Sequence, residues 1–250
     1  MENRKGEYRE TLHWANARDG FESVVTIFNY LGWAFPDRDS TETDADVKLR
    51  FFAENGTELA PHTVALKTEQ SLHIPVGDVH PGFRGMVATR MQPRGGMRRR
   101  SATAENPGRP IATSFFILYE RTGGFRDFSH ELFLLQDRPG KAAEWATVVY
   151  LNDKTEASVV VMNNRLPESG PICASEAEIR MFGLDGAPLT DGYRFSLSPG
   201  GSRLVSLAEA FPGYSRASRD SAIATVSARN IEQPMTLHIH RSGDFNVHHF

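Results

Sequence analysis

The feature that most constrains this chain is a long internal repeat. The segment from Val47 to Leu59, VKLRFFAENGTEL, returns in character from Ala177 to Leu189 as AEIRMFGLDGAPL. Its neighbours return with it. Upstream, Ser23–Asn29 matches Ala157–Asn163, and downstream Gly85–Arg90 matches Ala222–Ser227. A period of roughly 125 to 135 residues is far longer than a solenoid unit and suits a folding domain. A chain of 250 residues also sits near the size at which one core stops growing. The repeat therefore predicts two domains, 1–137 and 138–250, divided near the polar stretch Asp137–Lys141.

Local patterning makes both copies β-rich. In Asp46–Ala53, Val47, Leu49 and Phe51 alternate with Lys48, Arg50 and Phe52, the period of a strand with one face on a core. Asn55-Gly56 and Asp185-Gly186 follow the matched strands as hairpin turns, in which both central residues are expected at positive φ. Further short apolar runs, Thr63–Leu66, Leu72–Ile74, Met86–Met91 and Ile111–Tyr119, have counterparts at Tyr193–Leu197, Leu204–Leu207, Ala222–Ala228 and Met235–His240. Leu207–Phe211 offers one helical turn. Short strands separated by regular turn signals predict an all-β chain of two tandem antiparallel β-sandwich domains, immunoglobulin-like or jelly-roll-like, packed through a modest interface.

Composition narrows the function classes. A formal net charge of −3 argues against wholesale nucleic-acid binding. The charged start, Met1–Glu10, has no apolar core for a secretory signal, and no apolar run approaches the roughly 20 residues that span a bilayer. With a single cysteine, Cys173, the expectation is a cytoplasmic protein without an internal disulfide. No phosphate-cradling loop, paired-cysteine zinc pattern or nucleophile elbow is present, so no cofactor is implied.

Three groups of residues are candidates for binding. Trp33 and Phe35 lie in a long loop, and with Trp14 they form the candidate site for a sugar ring or a protein partner. An insertion at 92–109, absent from the second copy, puts Arg98, Arg99 and Arg100 into a basic loop over 90–109 that could grip phosphates; it lacks interleaved aromatics for stacking on bases. His238 and His240, two apart on a predicted strand and about 6.6 Å between Cα atoms, are the candidate metal pair, with His248 or His249 as a third ligand.

The order of elements also resembles that of the bacterial sensory-rhodopsin-transducer-type β-sandwich. The carrying residues are Trp14-Ala15, the strand Glu22–Asn29, the alternating strand Asp46–Ala53 and the proline-led strand Pro234–Arg241 with Asp244 beyond. That resemblance implies a small intracellular module that binds partners and forms oligomers without catalysis. Taken together, the sequence predicts a non-catalytic binding or adaptor protein for a protein partner or small ligand, with a homo-oligomer allowed by exposed strand edges. Two alternatives stand beside it: a carbohydrate-binding module using the loop aromatics, and a metal-dependent enzyme or metal-binding protein centred on His238 and His240.

Overall fold

The computed structural model describes residues 10–95, 115–122, 124–129, 133–136, 139–150, 152, 154–212 and 221–249. The first half contributes β1 (Thr11–Asn16), β2 (Phe21–Phe28), β3 (Ala45–Ala53), β4 (His62–Leu66), β5 (Ser71–Pro75), β6 (Arg84–Pro93), β7 (Phe115–Arg121), β8 (Phe125–Ser129) and β9 (Phe133–Leu134). The second contributes β10 (Ala142–Tyr150), β11 (Thr155–Met162), β12 (Ser175–Phe182), β13 (Tyr193–Leu197), β14 (Ser202–Ser206), β15 (Ser221–Arg229), β16 (Met235–His240) and β17 (Phe245–His249). Among the described residues, helix is confined to single turns such as Val76–Val79 and Leu207–Ala210.

The strands form four small antiparallel sheets in a four-bladed, propeller-like arrangement. No blade is a simple meander. Their orders are β4-β3-β6-β1-β9, β5-β2-β7-β8, β13-β12-β15-β10 and β14-β11-β16-β17, so the second pair of sheets repeats the strand order of the first. Only β9 has no counterpart among the described residues.

The repeated sequence is repeated in atomic detail. Asn29 and Asn163 close equivalent strands and are both fully buried. Asn29 donates through Nδ2 to the carbonyls of Thr43 (2.9 Å) and Leu66 (3.2 Å) and accepts from the Leu31 N–H (3.1 Å). Asn163 donates to Cys173 (2.8 Å) and Leu197 (3.3 Å) and accepts from Arg165 (3.1 Å). At the hairpins, Asn55 Oδ1 accepts from the Thr57 N–H and Asp185 Oδ1 from the Ala187 N–H, with Gly56 and Gly186 at φ +85° and +80°. Here the sequence expectation needs correcting: only the glycines take positive φ, and the Asn or Asp holds the turn through its side chain instead.

The expected pair of self-contained immunoglobulin-like or jelly-roll-like sandwiches with a modest interface is not what forms. One apolar core joins Leu12, Trp14, Phe51, Phe52 and Met86 of the first half to Val160, Met162, Met235, Leu237 and Val247 of the second. A second core lies on the other face of β11, where Val159 and Val161 meet Ile179, Met181 and Val226. The sheet around β11 is therefore buried on both faces. Its sequence says why: Val159, Val160, Val161 and Met162 are a continuous apolar run, and every one is fully buried. A strand with one wet face would have had to alternate.

Polar contacts add to the joint. The Ala53–Gly56 turn docks on the second half, with the Ser202 N–H donating to Glu54 O (3.0 Å) and a β-bridge between Asn55 and Gly201. Gln136 forms a parallel bridge with Arg165. On the far side, the Val247 N–H donates to Asp127 Oδ2 (2.6 Å) where β17 lies beside β8.

Candidate functional site

Four turns from distant parts of the sequence converge where the halves meet. The link from β1 to β2 turns through Asp19 (φ +58°) and Gly20 (φ +80°), and Thr122 binds it from the end of β7, its N–H donating to Gly20 O (2.9 Å). From the second half come the β10–β11 turn, where the Lys154 N–H donates to Asn152 Oδ1 (3.0 Å), and the β16–β17 turn, closed by the His240 N–H on Asp244 O (2.7 Å). The Arg241 N–H donates to Lys154 O (2.8 Å) and locks these two turns together. Arg121 ties the halves: its Nη1 donates to Gly243 O (3.1 Å) while the guanidinium lies over the Phe21 ring, which meets Phe245 edge-on.

Between these turns lies a cleft of about 370 Å³, lined by Asp19, Arg121, Lys154, Glu156, His240 and Arg241 among others. The volume falls in the range of small-ligand sites. Two arginines and a lysine face two carboxylates, so the lining carries a positive excess and suits an anion-bearing ligand.

His240 is held by its own turn. Its Nδ1 accepts from the Ser242 N–H (3.2 Å) and lies 2.7 Å from Ser242 Oγ, which in turn sits 2.8 Å from Asp244 Oδ2. The serine has one hydroxyl hydrogen, and the carboxylate is the stronger acceptor for it. With that hydrogen on Asp244, the 2.7 Å contact calls for a proton on Nδ1 and the 3.2 Å contact for a lone pair there, so the turn fixes the position of the ring and not its tautomer. The order His–Ser–Asp places serine in the middle of the chain. A hydrolytic triad needs the histidine there, so this array does not match that template.

His238 does a different job. It is 4% exposed, and its Nε2 accepts the Tyr150 N–H (3.2 Å). Burial pushes its pKa down; the adjacent Asn246 side chain pulls it up, and neighbouring His248, with rings 6.3 Å apart, pushes it down further. The Nε2 of His238 is thus taken up by the backbone of β10, whereas His240 is exposed at the cleft. Among the described residues no cluster of three or more His, Cys, Asp or Glu side chains is placed to hold a metal ion.

The aromatic candidates are not brought together. Trp14 is a core residue at 1% exposure, 6.0 Å from the Tyr119 ring, and Tyr119 Oη donates to Trp14 O (2.8 Å). Phe35 packs against the same core, and Trp33 stands alone at 80% exposure. Arg98, Arg99 and Arg100 lie outside the described residues. Of the same basic loop, Arg94 pairs with Asp46 (2.8 Å) and Arg90 donates to Gln92 (2.8 Å). Cys173 is buried. Among the described residues no helix is long and apolar enough to cross a membrane.

Sequence reasoning did not find Asp19, Arg121, Lys154, Glu156 or Arg241. The available signal was the Asp19-Gly20 dipeptide, a strong turn former, set against the Ser242-Gly243 turn in the other copy.

No protein-family model matches the chain, and no curated protein matches it. Among solved structures it is weakly similar to the exo-chitosanase CsxA of Amycolatopsis orientalis, solved with PNP-beta-D-glucosamine: 12% identity over 96% of this chain, with a TM-score of 0.18. The chain spans about a quarter of that protein, 26% of its length. Likeness at that level carries no argument about fold or activity.

Proposed function

We propose that the chain is a non-catalytic binding protein that works in the cytoplasm and takes a small, polar, anion-bearing ligand in the cleft between its halves. The observation that carries this reading is the lining itself: Lys154, Arg121 and Arg241, with His240 held in place by its turn, gathered from both halves around about 370 Å³. Binding there needs no moving part, because the turns are already fastened to one another by Arg121 and Arg241. The sequence resemblance to a partner-binding module points the same way.

The test is thermal unfolding against inorganic phosphate, sugar phosphates and small dicarboxylates. A ligand at 100 times its dissociation constant stabilises the native state by about 2.7 kcal/mol, a shift of a few degrees. The shift should vanish in the Lys154→Ala, Arg241→Ala double variant, both of whose side chains are exposed. If no anion stabilises the protein, or if the double variant keeps the shift, the cleft is not the site.

A further inference from the structure

The two halves treat one equivalent strand in opposite ways. Register fixes the equivalence: Phe52 lies opposite Met86, which lies opposite Trp14, while in the second half Phe182 lies opposite Ile223, which lies opposite Val148. Trp14 and Val148 therefore match, and Thr11 and Leu12 correspond to Trp145 and Ala146. In the first half that edge is taken. β9 pairs antiparallel with β1, Phe133 opposite Leu12 and Leu134 opposite Thr11, and every residue of β1 is buried. In the second half β10 ends its sheet, and among the described residues no strand pairs with its outer edge.

The composition of β10 does not suit exposure. It reads AAEWATVVY, with Glu144 its one charge, no proline and no lysine. Protein edges are normally guarded by such residues. Yet Val148 and Tyr150 are 47% and 49% exposed, and Ala142, Ala143 and Ala146 are exposed as well.

The hydrogen-bonding direction of this edge is fixed. The Tyr150 N–H points away from β15 to His238 Nε2, so by strand alternation the N–H and C=O groups of Val148, Ala146 and Glu144 also point outward. The first half agrees, since Glu10 O accepts from the Leu135 N–H at the matching parity. His238 occupies the edge at Tyr150 and so ends any added ladder at Val148.

We infer that β10 is the interface for a second copy of this chain, paired antiparallel about a two-fold axis at Ala146. Antiparallel pairing is the relation β9 already has to the matching edge, and a two-fold axis generates it between identical strands. The strand is complementary to itself. Ala146 meets Ala146 of the second copy, Glu144 meets Val148, and Trp145 meets Thr147, so no like charges oppose and an aromatic faces a β-branched residue twice. An axis at Glu144 would oppose two carboxylates and is excluded by charge.

Sedimentation velocity and directed cross-linking on the full chain test this. The wild-type protein should sediment as a dimer. Val148→Lys, at an exposed position, and Ala146→Pro, which removes an outward donor only, should sediment at half that mass, with wild-type circular dichroism and, for Val148→Lys, a melting temperature that no longer rises with protein concentration. Directly opposed Cα atoms in such a ladder lie about 5.5 Å apart, within disulfide reach. Ala146→Cys should therefore give a covalent dimer on mild oxidation, while the native Cys173 is buried and gives none. A wild-type monomer, a dimer untouched by Val148→Lys, or a dimer that Ala146→Cys does not cross-link would each overturn the inference.

Discussion

Replacing Asn163 by alanine removes three hydrogen bonds to backbone groups at once: two donated, to Cys173 O and Leu197 O, and one accepted, from the Arg165 N–H. Asn163 is fully buried, so water does not replace them. A buried backbone group left without its partner costs about 1–3 kcal/mol, and partial relaxation brings the sum to about 3–5 kcal/mol. That is a large share of the roughly 5–15 kcal/mol by which such chains are stable. The same change at Asn29 removes the equivalent set and should cost the same within about 1 kcal/mol. The assay is urea unfolding followed by tryptophan fluorescence in two backgrounds. With Trp33→Phe in both backgrounds, Trp145→Phe leaves Trp14 to report the first half's core, and Trp14→Phe leaves Trp145 to report the second. Because one core crosses between the halves, the Asn163→Ala midpoint should fall by the same amount under both reporters, with the urea slope unchanged. A loss under about 1 kcal/mol would refute the role given to Asn163. A fall seen by Trp145 alone would refute the shared core.

The matched turn glycines provide a second check. Gly56→Ala and Gly186→Ala share the cost of a side chain at positive φ, about 1 kcal/mol, but a Cβ at Gly56 would meet Pro199 O at 2.4 Å while one at Gly186 meets nothing within 4 Å. Gly56→Ala should therefore be the more damaging by about 1–3 kcal/mol in urea unfolding; equal losses would mean that the Ala53–Gly56 turn does not dock on the second half. Acid sensitivity provides a third. The folded pKa of His238 is depressed below its ordinary 6.5, so the unfolded chain binds the extra proton. Its contribution is then fully present above that value and is lost as pH falls through the folded pKa. Melting temperature measured from about pH 8 down to about pH 5 should drop less in His238→Gln than in the wild type, and parallel curves would show that His238 does not titrate on unfolding.

The sequence made some of this architecture legible because the governing interactions are local. Asn55-Gly56 and Asp185-Gly186 mark their turns within two residues, through Asx side chains and glycines at positive φ. The strands Asp46–Ala53 and Ala177–Phe182 show their core faces by alternation, since their other faces are largely polar. Asn29 and Asn163 stood out as matched residues, although their purpose, to cap two carbonyls each across the fold, depends on partners up to 37 residues away. The candidate cleft was hidden for the same reason in stronger form. Lys154, Arg241 and Asp19 are ordinary turn residues in sequence, and only the docking of the halves makes them neighbours.

The layer arrangement was illegible for a different physical reason. Alternation tells which face of a strand is buried; it cannot tell what buries it. In β11 both faces are apolar, and a run such as Val159–Met162 is equally the mark of a central strand in one domain and of a sheet shared between two cores. The same ambiguity runs through β1, whose His13, Thr11 and Asn16 are buried beside Leu12 and Trp14. Polar residues there are buried all the same, on a strand paired along both edges, with β6 and with β9. β10 inverts the case, with apolar residues left uncovered at the equivalent edge. Burial in this protein is decided by which edge finds a partner and which sheet finds a second layer, and those are properties of the assembled chain. That is why the apolar, unguarded edge of β10 is informative: its residues have the composition of a covered strand, and its counterpart shows the antiparallel form the cover takes.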